Sequence, residues 1–142
     1  MDGESYIKSL ACILAEREER SNGINGMLAV LFLVRRRADQ WYAGDWVKTI
    51  TAHNQFSSMV IKGDPETVWY PDSREPNFQK ILQYVDGIYD GSTLDNLTNG
   101  ALYYSDLNSP AFQKGGWFDV NIVQKPDEHP RTAQVGTTTY FK

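Results

Sequence analysis

Gly26-Met27-Leu28-Ala29-Val30-Leu31-Phe32-Leu33-Val34 is the stretch on which the fold turns. Its apolar run, Met27 to Val34, leaves no polar face for a surface helix and is far shorter than the roughly 20 residues a membrane span requires. It predicts a central helix walled in on all sides, opened by Asn25 or Gly26. Arg35-Arg36-Arg37 follows where that helix is expected to end, and cations there complement the helix dipole.

Upstream, Ser5 is the expected N-cap of a first helix running to about Arg20, with Ser21-Asn22-Gly23 stopping it. At about 100° per residue, Ile7, Leu10, Ala11 and Leu14 share one face, and Glu18 lands roughly 20° from its centre. Glu16 falls about opposite, and Arg17, Glu19 and Arg20 point mostly elsewhere, so one carboxyl is expected to face inward among solvated charges. Burial disfavours a carboxylate and raises its pKa, which is what a general acid working near neutrality needs. The same spacing also allows a helix that frays before Glu18 and leaves it in water.

Downstream, Asp45 to Thr51 reads as a short helix, and His53-Asn54-Gln55-Phe56-Ser57 as a loop. Prolines and polar residues mark an irregular connection from Gly63 to Pro76. Phe78, Ile81, Leu82, Val85, Ile88 and Tyr89 repeat at three and four with Gly91 just beyond, an amphipathic helix with its terminator. Beyond Gly91 the chain turns to aromatics and turn residues. Asp119 to Val123 alternates polar with apolar and Val135 to Phe141 is rich in Thr and aromatics, so both read as strands, paired across Pro126 to Pro130. The expected class is α+β: N-terminal helices around a buried central helix, then a small antiparallel sheet.

The 142 residues suit one domain with a sizeable core. A formal charge of -4 offers no basic field for nucleic acid, and no segment is long and apolar enough for a membrane. The same charge gives no steering towards an anionic surface. Cys12 is the sole cysteine, about 140° from Ile7 by helical count, and reads as a small packing residue. His53 and His129 are far apart and without companions at ligand spacing, so neither a metal nor another cofactor is expected. Met1-Asp2-Gly3-Glu4 is acidic and followed by no hydrophobic region, so no secretory signal is read.

Three clusters carry possible chemistry: the Glu18 helix end, Gln55-Phe56-Ser57, and Thr98-Asn99-Gly100-Ala101-Leu102-Tyr103-Tyr104. An amide, hydroxyls and paired tyrosines supply the hydrogen bonds and flat apolar faces that a sugar ring asks of a cleft, although adjacent tyrosines also suit one core and one surface position of a strand. Taken together, Glu18-Glu19-Arg20-Ser21-Asn22, Gly26-Met27-Leu28-Ala29-Val30 and Arg37 resemble, without a gap, the Glu-Ala-Arg-Gly-Glu, Gly-x-x-Ala-Val and Asn-Arg pattern of spore cortex-lytic (SleB-like) cell wall hydrolases. Gln55-Phe56-Ser57 is similar to that family's Gln-Phe-Ser. Asp95 with Thr98 to Tyr104 is similar to its Asp-Pro-Thr-x-Gly-Ala-x-Tyr-Tyr with one extra residue, and Pro110 and Trp117 suit later positions. The order is kept over nearly the whole chain. Asn22 replaces the motif's second glutamate, Arg36 its asparagine, and Thr138 or Thr139 a histidine near the end.

The resemblance implies a lysozyme-like fold, peptidoglycan glycan strands as substrate and Glu18 as the catalytic acid, protonating the glycosidic oxygen between N-acetylmuramic acid and N-acetylglucosamine. Gln55, Ser57, Thr98, Tyr103 and Tyr104 are the expected substrate-binding residues, with Trp69, Tyr70 and Trp117 as candidate stacking platforms. Only one carboxyl has a strong case, since Asp95 suits an Asx-turn better than a catalytic role. This favours a lytic transglycosylase, in which the muramic 6-hydroxyl attacks, over a hydrolytic muramidase. A wall-binding or virion structural protein that lost the chemistry is the contrasting expectation. A monomer, with no nucleic acid or membrane as partner, is expected, and a chain with no export signal fits a phage lysin released by a holin or carried in a virion.

Overall fold

The computed structural model describes residues 3–52, 56 and 77–142. Helix α1 spans Gly3–Glu19, and a 3-10 turn, Arg20–Asn22, bends the chain into α2, Gly23–Trp41. Ser5 lies inside α1, not at its cap, and α2 begins slightly before the expected Asn25 or Gly26. The elbow uses Gly23 at φ 72°, a conformation that favours glycine. Helix α3, Trp46–Thr51, is N-capped by Asp45, whose Oδ1 accepts from the Lys48 N–H at 3.0 Å. The amphipathic α4, Phe78–Asp90, ends at Gly91 in the left-handed region, as its sequence predicts.

Among the described elements α1 packs against α2, α3 and α4, and α2 against α3 and α4. This surrounds α1 as well as α2. Every residue from Leu10 to Glu16 is buried, including Cys12, whose thiol burial pushes up to about 12. The expectation of a single inward stripe on α1, with Glu16 and Glu19 solvated, is therefore corrected. Glu16 is 3% and Glu19 2% exposed, while Glu18 is half-buried. Glu16 answers its burial by accepting from Arg20 Nε at 2.7 Å. Lys8 ties the opposite end of α1 to Glu4 and to Asp86 of α4, both at 2.6 Å.

The arginine run lies inside α2, which continues to Trp41, and serves other elements instead of its own dipole. Arg35 Nη1 donates to the carbonyls of Ile88 at 3.0 Å and Tyr89 at 2.9 Å, in the last turn of α4. Arg36 reaches the loop after α4, donating to Asp95 and to the Ala101 carbonyl, each at 2.7 Å. Arg37 Nε donates to the Leu102 carbonyl at 2.7 Å.

The C-terminal part holds a three-stranded antiparallel sheet in the order β1-β3-β2: β1 Tyr103–Ser105, β2 Arg131–Val135 and β3 Thr138–Phe141. Tyr104 faces Tyr140 across the β1–β3 pair, and β2 turns tightly into β3 through Gly136 and Thr137. Central β3 is buried throughout; Tyr140 stacks on Tyr104 at 5.9 Å and Phe141 meets Phe118 edge-on at 5.7 Å. The expected strand at Asp119 to Val123, and with it the pairing across Pro126 to Pro130, is overturned. Asp119–Val123 is a π-helical turn. Asp119 Oδ2 accepts from the Gly115 N–H at 2.8 Å and from Gln124 Nε2 at 3.0 Å, and the Gln124 N–H reaches the Asp119 carbonyl at 2.9 Å, which coils the segment despite its alternation.

Candidate active site

A cleft of about 1030 Å³ opens between the C-terminal ends of α1 and α2, strand β1 and the segment leading to the π-helical turn. Glu18 and Glu19 enter from α1, Arg37 and Trp41 from α2, Tyr103 and Tyr104 from β1, Asp106 from the turn beyond it, and Thr138 from β3. Trp117, 68% exposed, and Trp41, 40% exposed, stand at the same cleft.

Sequence and local geometry explain how the tyrosines arrive. Asp95 Oδ1 accepts the N–H groups of Leu97 at 3.0 Å and Thr98 at 2.8 Å, an Asx-turn, while its other oxygen takes the Thr98 hydroxyl and Arg36. These bonds to the ionised form outweigh burial and hold the Asp95 carboxyl below its ordinary range. Asn99 at φ 53° and Gly100 at φ 90° then reverse the chain, and β1 follows. Thr98 is thus fully buried as part of a structural turn and does not line the cleft, contrary to its expected role as a substrate-binding residue. Asp95 does not line the cleft either, and the Asx-turn reading of it holds. Gln55, Ser57, Trp69, Tyr70 and His53 lie outside the described residues.

Arg37 forms part of the cleft wall as a buried cation in an aromatic cage. The Phe56, Trp41, Tyr103 and Tyr104 rings lie 5.2, 5.4, 5.9 and 5.9 Å from its guanidinium carbon. Burial lowers its pKa, opposed by the nearby tyrosines and by Glu18. Tyr103 also meets the Trp41 ring at 5.8 Å and the His129 ring at 5.1 Å. Tyr104 is held neutral, its pKa pushed well up by burial and then by the charge of Glu18.

Beside Glu18, Glu19 sits in a network closed over by the hairpin. Asn22 Nδ2 donates to Glu19 Oε2 at 2.6 Å and to Thr138 Oγ1 at 3.0 Å, and the Thr138 hydroxyl donates onto Glu19, 3.0 Å from Oε1 and 3.1 Å from Oε2. Asn22 Oδ1 accepts the Thr137 N–H at 2.9 Å. One side chain at the elbow therefore fixes both Glu19 and the β2–β3 turn. Burial raises the Glu19 pKa more than these bonds lower it, and the charges of Glu18 and Asp106 raise it further.

Of the expected site residues in the described part, Glu18, Tyr103 and Tyr104 come together and Thr98 does not. Glu19, Arg37, Trp41 and Asp106 were missed as site residues. Glu19 and Arg37 stand in the quoted motif stretches and Asp106 two residues beyond the tyrosine pair, signals that could have found them, whereas Trp41 carried none. Among the described residues no group of His, Cys, Asp and Glu could hold a metal ion, and no helix is long and apolar enough to cross a membrane. Comparison of the chain with protein-family models, with curated proteins and with solved structures finds no match in any of the three.

Proposed function

We propose that this chain is a peptidoglycan-degrading glycosidase of lysozyme-like architecture, similar to the SleB-like cell wall hydrolases, with Glu18 as the proton donor to the glycosidic oxygen. The observation that carries the reading is the position of Glu18. The motif pattern selects Glu18, and the residue lines a cleft walled by Tyr103, Tyr104 and two exposed tryptophans. Aromatic faces beside charged and hydroxyl groups are what a glycan strand of alternating amino sugars requires.

The departures from the family pattern are consistent with the reading once they are taken together. Asn22 and Thr138 hydrogen-bond to each other and to Glu19, so the carboxylate absent at position 22 has a counterpart at position 19, served by the two replaced side chains. Arg36, in place of an asparagine, is occupied by Asp95 and the Ala101 carbonyl and anchors the loop that leads to β1.

Purified protein incubated with peptidoglycan is expected to release soluble muropeptides bearing cleaved N-acetylmuramic acid to N-acetylglucosamine bonds. E18Q is expected to lower that rate by about 10²- to 10⁴-fold, the usual contribution of a positioned acid. Full activity in E18Q overturns Glu18 as the donor. Absence of products from the unaltered chain, with wall binding intact, favours a binding protein.

A further inference from the structure

Arg37 lines the cleft yet is only 5% exposed, so its cation is engaged by the protein around it. A guanidinium withdrawn from water is costly unless neighbouring groups replace its hydration. Here Nε donates to the Leu102 carbonyl at 2.7 Å, and the Phe56, Trp41, Tyr103 and Tyr104 rings lie 5.2 to 5.9 Å from the guanidinium carbon. Leu102 directly precedes β1, so the same side chain ties α2 to the strand that carries the tyrosines.

These rings differ in what they leave open. Phe56 is 1% exposed, whereas Trp41 keeps 40% of its surface at the cleft. Trp41 follows Arg37 by one helical turn, which puts both on one face of α2: the guanidinium lies over the indole at 5.4 Å, and Tyr103 flanks it at 5.8 Å, tilted by 51°. The backbone beneath is placed as well. Ala43 at φ 53° and Gly44 at φ 83° end the helix there, and the Tyr42 and Gly44 N–H groups both donate to the Ala38 carbonyl, at 3.0 and 2.8 Å.

The charges around this indole select what can pack on it. A cationic ligand would meet the Arg37 charge across the ring, and an anionic one would face Glu18, Glu19 and Asp106 in the same cleft. A neutral partner with an apolar face remains. The C–H face of a pyranose ring is such a partner, and the Ser105, Ser109 and Thr138 hydroxyls of the cleft offer hydrogen bonds to its polar edge.

Resting on the glycosidase reading above, we propose that Trp41 is the stacking platform for an uncharged N-acetylglucosamine ring of the glycan strand, and that Arg37 is the positioning residue that presents the indole. Arg37 therefore acts on the strand through Trp41.

The test titrates chitotetraose, a neutral chain of N-acetylglucosamine, into the ¹⁵N-labelled full chain carrying E18Q and follows the Trp41 indole N–H resonance, assigned through bonds. Saturable movement of that resonance is expected. W41A is expected to raise Kd about tenfold and R37M about threefold, while R37M added to W41A changes it no further. Chitotetraose that moves other cleft resonances and leaves Trp41 still overturns the platform, whether or not any variant at these two positions folds. Glu18-dependent cleavage of peptidoglycan, assayed separately, then still stands. No movement of any resonance overturns the platform too, and the cleavage assay alone decides the reading beneath it. A full R37M effect in the W41A background overturns the positioning role, and R37K takes its place in the cycle if R37M lacks a cooperative unfolding transition. N-acetylmuramic acid moving the Trp41 resonance at lower concentration than N-acetylglucosamine overturns the choice of ring.

Discussion

Glu19 is where two opposed effects meet on one side chain. Its 2% exposure strips water from a carboxylate, and the Asn22 amide and Thr138 hydroxyl return only part of that solvation. The net result is a pKa above the ordinary value of 4.5. The folded state therefore holds this proton more tightly than the unfolded chain does, so the stabilisation is fully present below the unfolded value and is lost as pH rises through the folded one. E19Q, which mimics the protonated form, is expected to be at least as stable as the unaltered chain at pH 7, and the advantage should shrink as pH falls towards 4. Urea midpoints across that range measure it, and an E19Q chain that is less stable at pH 7 would contradict the balance argued here. Glu18 was legible from the motif pattern and not from spacing, which expected one inward carboxyl where the structure has Glu18 half-buried and Glu16 and Glu19 buried. The burial of Glu19 was legible from neither, since it is produced by Thr138, a residue 119 positions later that helical counting does not see.

Helix α4 shows what an element owes to its own sequence and what it borrows. Its apolar period and terminal Gly91 are local signals, and both its bounds and its left-handed cap follow from them. Its last turn, however, depends on Arg35 of α2, which donates to the Ile88 and Tyr89 carbonyls that no intrahelical N–H reaches. R35M keeps much of the stem but removes these donors, and is expected to cost about 1.5–3 kcal/mol, the range for hydrogen bonds to a charged group. Chemical denaturation of R35M reads the loss directly, and a change below about 0.5 kcal/mol would mean that solvent serves those carbonyls as well. The sequence suggested a helix end for the arginine run because cations commonly sit there, yet the three guanidinium groups are distributed to three other places. The same limit explains Asp119–Val123. A period of two over so short a segment is weak, and the Asp119 carboxylate, by binding Gly115 and Gln124, selects a coil that alternation alone would not suggest.

Across the whole molecule, the cleft exists because a helical elbow and a three-stranded sheet are pinned together at Asn22, with Glu18 on one side of the seam and Asp106 on the other. The α+β class and the order of helices before sheet were readable from pattern, whereas the seam itself depends on contacts between residues far apart in sequence. Charge is the remaining property of this scale, and it bears on how such a cleft meets its substrate. If the proposed substrate is right, a molecule with a formal charge of -4 meets an anionic wall against a weak repulsion. Raising ionic strength from 0.01 to 0.15 M shortens the screening length from about 30 to about 8 Å, which removes most of that repulsion while leaving contacts inside the cleft nearly untouched. Wall lysis is therefore expected to quicken over this range, with kcat/KM on intact walls rising and the rate on short neutral glycan fragments unchanged. A turbidity assay at several salt concentrations measures the first and fragment cleavage the second. A rate that falls with salt on intact walls would show that a local cationic surface, Arg37 and its neighbours included, outweighs the net charge in capturing the strand.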